Sequence, residues 1–268
     1  MTERFAAGSG EEIRIETDGA VTTLVVDRPA QRNALSIPVC EQIDDLLSGI
    51  EADRQIRVLV VTGSGPKSFI AGADINELVA YTPAQGYRHI EVGHRLFTRI
   101  ENLAIPTIAC VNGYCLGGGL EIAMACDIRL ASTNAKFGLP EINIAMVPGW
   151  GGTERLQRLI GQSRAAAMMI TGEMITVEEA VTCGLVYRQF ADVAALRNGT
   201  DELARKLAGF APISMRTTKQ MLLTSNGLGP DQIRQRDAAL LAYLVTTADA
   251  KEGLTAFLEK RPAFYKGE

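Results

Sequence analysis

Short runs rich in β-branched and aliphatic residues alternate with longer segments of helical periodicity through the first two-thirds of this chain, and such a chain must bury a sheet beneath helices. The runs at 13–16, 22–26, 58–62, 107–111, 128–131 and 185–187 predict strands. Several are continuously apolar, as burial on both faces requires. Between them, Val39, Ile43, Leu46, Leu47 and Ile50 fall on one helix face, with Ser36 as N-cap and Pro38 in the first turn. Thr176-Val-Glu-Glu179 is a capping box for a helix that stops at Gly184. After Asp192 the strand signals vanish, and 192–260 predicts three or four helices broken at Pro212, at Gly227-Leu-Gly-Pro230 and near Asp249. The chain thus divides by pattern into an α/β core, 1–191, and a helical region, 192–268. In the latter, Ile233, Leu240, Leu241, Leu244 and Val245 gather more apolar surface than a terminal helix needs alone, so it should pack on the core or on another subunit.

Composition excludes several classes of function. A net charge of -4 leaves no global electrostatic footprint for nucleic acid. The five cysteines form no Cys-x-x-Cys pair and lie in or beside apolar runs, which predicts reduced, buried thiols and a cytoplasmic protein. Residues 1–12 carry neither the apolar stretch of an export signal nor an arginine-rich, acid-poor pattern. The uncharged stretch 102–120 is nearly long enough to span a bilayer, but Pro106, Asn112 and four glycines would leave its backbone unpaired in lipid. It reads as a buried strand and a glycine turn.

With only His89 and His94, five apart on a predicted helix, no zinc signature exists and no metal site is expected. Gly161-Gln-Ser-Arg-Ala165 is a degenerate nucleophile elbow without a histidine partner. The strand 58–62 runs into Gly63-Ser-Gly65 but lacks the third glycine or the lysine of a phosphate loop. The densest signal is Asn112-Gly-Tyr-Cys-Leu-Gly-Gly-Gly-Leu-Glu-Ile-Ala-Met-Ala-Cys-Asp127. A strand ending in three glycines before a helix presents bare backbone N–H groups, suited to a developing oxyanion, with Glu121 in the first turn. A capping acid behind a tight packing turn is the alternative. Phe69-Ile-Ala-Gly-Ala-Asp-Ile75 can bring the Ala73 N–H to a ligand, and Phe137-Gly-Leu-Pro-Glu141 offers a second carboxylate. Met146-Val-Pro-Gly-Trp-Gly-Gly-Thr-Glu154 supplies another glycine turn opening a helix.

Together with Arg28-Pro-x-x-Arg-Asn-Ala-Leu35 and Ala256-Phe-Leu-Glu-Lys-Arg261, these blocks resemble the crotonase family, in particular its enoyl-CoA hydratases, over nearly the whole chain. The resemblance implies an α/β spiral of ββα repeats with a C-terminal helical region that builds trimers, usually paired into hexamers. It implies an acyl-CoA thioester whose carbonyl oxygen lies between the Ala73 and Gly118 N–H groups. Glu121 would activate water for attack at the β-carbon and Glu141 would protonate the α-carbon, with no cofactor. Arg32, Ala71, Asp74 and Ile75 match CoA-binding positions, as do Phe257 and Lys260, offered from a neighbouring subunit. Asn76 departs from a lysine common in the family, which weakens one phosphate contact. Leu78, Leu116 and Trp150 match the acyl pocket, and Trp150 departs from a small residue there, as a bulky wall favouring short acyl groups or as a core anchor.

Both glutamates point to hydration, with crotonyl-CoA or 3-methylthioacryloyl-CoA as substrate, since length and carboxylates are also similar to the bacterial methylthioacryloyl-CoA hydratases. Isomerisation or thioester hydrolysis could use the same site. The family also contains an RNA-binding member with a basic helix where Arg88, Arg95 and Arg99 stand. Here Glu91 and Glu101 interrupt that face, which reads as ordinary solvated surface.

Overall fold

The computed structural model describes residues 12–268, and the reading of the first eleven residues lies outside them. The chain opens with β1 (Ile13–Asp18) and β2 (Val21–Val26), an antiparallel hairpin in which Ile13 faces Val26, followed by α1 (Ile37–Ala52). Ser36 caps α1, accepting from the Val39 N–H, as its spacing predicts. Then come β3 (Val58–Gly63), β4 (Ser68–Ile70), α2 (Ile75–Leu78) and α3 (Pro83–Asn102). A second such unit is β5 (Thr107–Val111), β6 (Tyr114–Leu116) and α4 (Gly118–Ala125). The third starts with β7 (Ile128–Ser132) and β8 (Lys136–Gly138), passes a 3₁₀ turn at Glu141–Ile144, and continues through α5 (Gly152–Ile160) and α6 (Gln162–Thr171). β9 (Ile175–Thr176), α7 (Val177–Thr182) and β10 (Arg188–Phe190) close the core. Four helices follow: α8 (Val193–Ala208), α9 (Pro212–Thr224), α10 (Pro230–Leu244) and α11 (Ala248–Glu259).

Two sheets organise these units. One has the order β1-β2-β3-β5-β7-β10 and is parallel after the first hairpin. The other, β4-β6-β8-β9, is built of two- and three-residue strands. From β3 onward each ββα repeat therefore gives a long strand to the first sheet and a short one to the second before its helix, whereas β1 and β2 both belong to the first.

The period of two along the long strands explains their continuous apolarity. Leu59, Val61, Ala109 and Val111 point into the main core beside Leu47, Phe69, Phe97 and Phe137, whereas Val58, Val60, Ile108 and Cys110 point the opposite way. That second face is covered by α8 through Leu196 and Ala204. Complete burial of each aliphatic side chain is worth roughly 1.5–3 kcal/mol, so both faces hold the sheet.

The predicted strand at 185–187 is displaced by three residues. Leu185 and Val186 are buried, but as an entry segment in which the Val186 N–H bonds the Ala180 carbonyl, and the ladder with β7 runs through Arg188–Phe190. Stretch 102–120 holds β5 and β6, and no helix among the described residues is long and apolar enough to cross a membrane. Four cysteines are buried and Cys183 is half-buried, all of them free. Burial pushes the Cys40 and Cys126 thiols up to about 12.

Lys219 of α9 is buried against the core, its Nζ 2.8 Å from Asp127 and 3.0 Å from the Ile105 carbonyl. By contrast, α10 buries no residue, and Leu241, Tyr243 and Val245 are exposed, as are Leu254, Phe257 and Leu258 of α11. Of the residues predicted to form an apolar surface on 231–246, Ile233, Leu240 and Leu244 are half-buried and Leu241 and Val245 are exposed, so the chain covers that surface only in part.

Candidate active site

Adjacent parallel strands β4, β6 and β8 end at the same edge, and from their C-terminal ends emerge the Ala71–Asp74 loop, the Gly117 turn and Glu141. Three blocks distant in sequence are thereby brought together. A Cβ added to Gly117 would lie 3.6 Å from the Gly72 Cα and 3.0 Å from Glu141 Oε1, so loop, turn and carboxylate meet at van der Waals distance.

Neither candidate oxyanion donor has an acceptor among the described residues. The Leu35 N–H bonds the Gly72 carbonyl at 2.9 Å and the Asp74 N–H bonds the Leu35 carbonyl at 2.8 Å. Ala73 lies between those bonds in an isolated parallel bridge to Leu35, so its own N–H points to the opposite side. Gly117, at φ +51°, turns the chain into α4, leaving the Gly118 and Gly119 N–H groups at the helix start with no acceptor among the described residues. Glycine is needed at 119 because a Cβ would sit 1.9 Å from the Ile70 carbonyl oxygen of β4.

The Ala73 loop is held from behind. Asp74 caps α2 through the Asn76 N–H and is 3.0 Å from Arg28 Nη2, both side chains nearly buried. Asp74, which the resemblance counts among the CoA-binding positions, thus spends its carboxylate as a loop bracket. Asn33 is left-handed at φ +59° and its Nδ2 donates to the Ser64, Ser68 and Phe69 carbonyls while its Oδ1 accepts from the Arg28 N–H.

Glu121 is 2% exposed, in the first turn of α4. Its Oε1 accepts from the Trp150 and Gly152 N–H groups, both at 2.7 Å, and Oε2 has no donor among the described residues. Burial pushes its carboxyl up to about 7; the Gly152 N–H opposes this and the charge of Glu141 adds to it. Glu141 is raised from the usual carboxylate range by burial too, and its Oε2 is buried without a hydrogen-bond partner among the described residues. Burial thus makes both carboxyls easier to protonate than exposed ones, and the Glu141 charge adds to this at Glu121. The two N–H donors on Glu121 Oε1 favour its ionised form and oppose the effect of burial, whereas Glu141 Oε2 has no such donor among the described residues.

The Trp150 ring is 3% exposed and packs edge-on against Phe97 and tilted against His89, with its Nε1 donating to the His89 carbonyl at 3.0 Å. The ring is anchored in the core and also lies against Gly118, and it is the backbone N–H, not the ring, that reaches the carboxylate. That role of residues 150 and 152 is absent from the sequence reading, where 148–153 is only a glycine turn.

Among the remaining positions, Leu78 and Leu116 are half-buried beside the loop and turn, and Ile75 is exposed. The Ala71 N–H bonds the carbonyl of Arg32, which joins these two positions, with Arg32 exposed in a left-handed conformation. Phe257 is 83% exposed on α11 and Lys260 is its left-handed C-cap; no hydrogen bond or ion pair among the described residues ties either to the site. On α3, Arg99 pairs with Asp44 and Glu51, and Arg88 with Glu41, so carboxylates of α1 neutralise most of the basic face.

A family model described as enoyl-CoA hydratase/isomerase matches residues 16–268. The short-chain-enoyl-CoA hydratase of Clostridium acetobutylicum is 38% identical over 247 residues, covering 92% of this chain and 94% of that protein. The crotonyl-CoA hydratase of Syntrophomonas wolfei is 36% identical, with 94% and 97% covered. A crystal structure of enoyl-CoA hydratase from Bacillus anthracis superposes with a TM-score of 0.93 at 35% identity, covering 96% of this chain and all of that one.

Proposed function

This chain belongs to the enoyl-CoA hydratase/isomerase family, and on that footing we propose that it adds water across the α,β double bond of a short-chain enoyl-CoA thioester. The observation that carries the reading is Glu141 Oε1 set against Gly117, and the buried Glu121 raised in part by the Glu141 charge, beside the Ala73 and Gly118 N–H groups, which have no acceptor among the described residues. The Ala73 and Gly118 N–H groups donate to the thioester carbonyl oxygen and stabilise the enolate that forms, and losing one such donor costs about 10²–10³ in rate. Glu121 takes a proton from water as its oxygen bonds the β-carbon. The π electrons shift toward the carbonyl oxygen, and the proton of Glu141 then goes to the α-carbon. General acid and base groups contribute roughly 10²–10⁴ each. The residues supply polarisation, base and acid themselves, so the step requires no cofactor.

Ala71, Ile75 and Arg32 form the CoA-facing side in this reading, with Phe257 and Lys260 supplied by α11 of a neighbouring copy. The uncovered apolar surface of α10 and α11 supports assembly into a trimer, or two trimers as a hexamer.

Mass spectrometry of the purified protein incubated with crotonyl-CoA and 3-methylthioacryloyl-CoA tests the proposal. Gain of one water by crotonyl-CoA without free CoA is the expected result. Release of CoA thiol from the methylthio ester would extend the activity to thioester hydrolysis, and a double bond shifted without gain of water, read by NMR because the isomers share one mass, would replace the proposal with isomerisation.

A further inference from the structure

The turn that holds Glu121 contains Gly149, Gly151 and Gly152 around Trp150, with Gly151 at φ +94°. Close approach demands these glycines: a Cβ on Gly152 would lie 2.8 Å from Glu121 Oε1, and one on Gly151 would lie 2.1 Å from Arg155 Nη1. The same glycines make the backbone permissive, so the two N–H groups meet one oxygen only if something else fixes the turn. The chain's sole tryptophan is that element. Its indole fills the space above two further glycines, where a Cβ on Gly93 would fall 2.3 Å from Nε1 and one on Gly118 would fall 2.4 Å from Cζ3. Nε1 is bonded to the His89 carbonyl, and the Trp150 carbonyl accepts from Arg155 Nη1 at 2.9 Å. Arg155 is in turn paired with Glu101 of α3 at 2.8 Å.

We propose that Trp150 is a positioning residue for Glu121: its buried indole pins the turn to α3, so that the Trp150 and Gly152 N–H groups hold one carboxylate oxygen in place and leave the other for the reactant. The importance of holding Glu121 for turnover rests on the hydration reading above. The clamp itself can be read without turnover.

Two variants test it. Trp150→Phe keeps an aromatic edge for Phe97 but has no N–H for the His89 carbonyl. Gly93→Ala leaves Trp150 and Glu121 intact and pushes the indole aside. In each, kcat should fall about tenfold or more, the scale of a small misplacement of a reacting group, while KM for the thioester stays within about twofold. The limb of the pH–rate profile set by Glu121 should move, with Glu141 and Arg155, the charged groups that face it, unchanged. In the double variant the smaller phenyl accommodates the new methyl, so the double variant should be no slower than Trp150→Phe alone. Unchanged kcat and pH profile in both single variants would overturn the proposal, as would simple multiplication of their effects.

Incorporation of ¹⁵N-tryptophan provides a readout independent of catalysis, because the spectrum holds only the Trp150 amide and its indole N–H. The amide peak should titrate with pH in the wild-type protein and be silent in Glu121→Gln. In Gly93→Ala the indole should lose exchange protection and the amide should shift. If the wild-type protein hydrates no enoyl-CoA, the hydration reading fails while this spectrum still decides the clamp. An amide unmoved by Gly93→Ala overturns it.

Discussion

Replacing Glu121 by glutamine should make the protein more stable and nearly inactive, and the stability gain should depend on pH. A carboxyl held at about 7 rather than 4.5 is ionised in the native state at a cost of about 3 kcal/mol relative to the unfolded chain. Burial is the main source, with the Glu141 charge adding to it. Since the native state binds the proton more tightly, the stability linked to Glu121 is fully present below pH 4.5, falls as pH rises, and is lost above about 7. Glutamine has the same shape, its amide oxygen can accept from the Trp150 and Gly152 N–H groups, and it never ionises. The variant should therefore match the wild-type protein near pH 4 and exceed it by up to about 3 kcal/mol at pH 8, on the order of 5–10 °C in Tm for a chain of this size. Thermal unfolding at matched protein concentration between pH 4 and 8, followed by circular dichroism, measures this. Hydration rate measured alongside should fall by about 10²–10⁴. A Tm difference equal at pH 4 and pH 8, or a variant less stable at pH 8, would refute the reasoning, because the buried charge would then not be what the native state bears.

Gly152→Ala should lower kcat by about ten- to a hundredfold with KM nearly unchanged, since its methyl must displace Glu121 Oε1 from 2.8 Å without touching the CoA side; steady-state kinetics check it. Gly119→Ala should destabilise the protein by about 3 kcal/mol or more, because a methyl 1.9 Å from the Ile70 carbonyl oxygen forces α4 off β4. A thermal scan with unchanged Tm would show that the helix can shift at no cost.

The central strands β3 and β5 were legible because each buries two faces, and a run such as Val58-Leu-Val-Val61 has no solvent side to break its apolarity, whereas β1 shows the alternation of a strand with one solvated face. The second sheet was not, although it assembles the site. Its strands are two or three residues long, too short for a period of two to show, and Tyr114-Cys-Leu116 or Lys136-Phe-Gly138 has no apolar run. What the sequence did expose there were the consequences of those strands: the glycines that must follow them and the carboxylates placed beside the turns. The 185–187 displacement follows the same logic, for apolarity reports burial, and Leu185 and Val186 are buried before pairing begins.

Trp150 shows where residue patterns stop. From sequence, a tryptophan between glycines is a pocket wall or a core anchor, and only the position of α3 separates these. With Gly93 directly beneath the indole and the His89 carbonyl at its N–H, the ring is anchored to α3 while its other edge lies on Gly118, and the contact with the Glu121 carboxylate passes through its backbone. A backbone donor carries no residue signature, because any amino acid offers an N–H. The ring that fixes its direction does carry one, as does each glycine that makes room for it. Glycines 93, 118 and 152, on three different elements, share a reason that no local pattern contains: the first two clear space for the indole and the third for the carboxylate that its backbone holds.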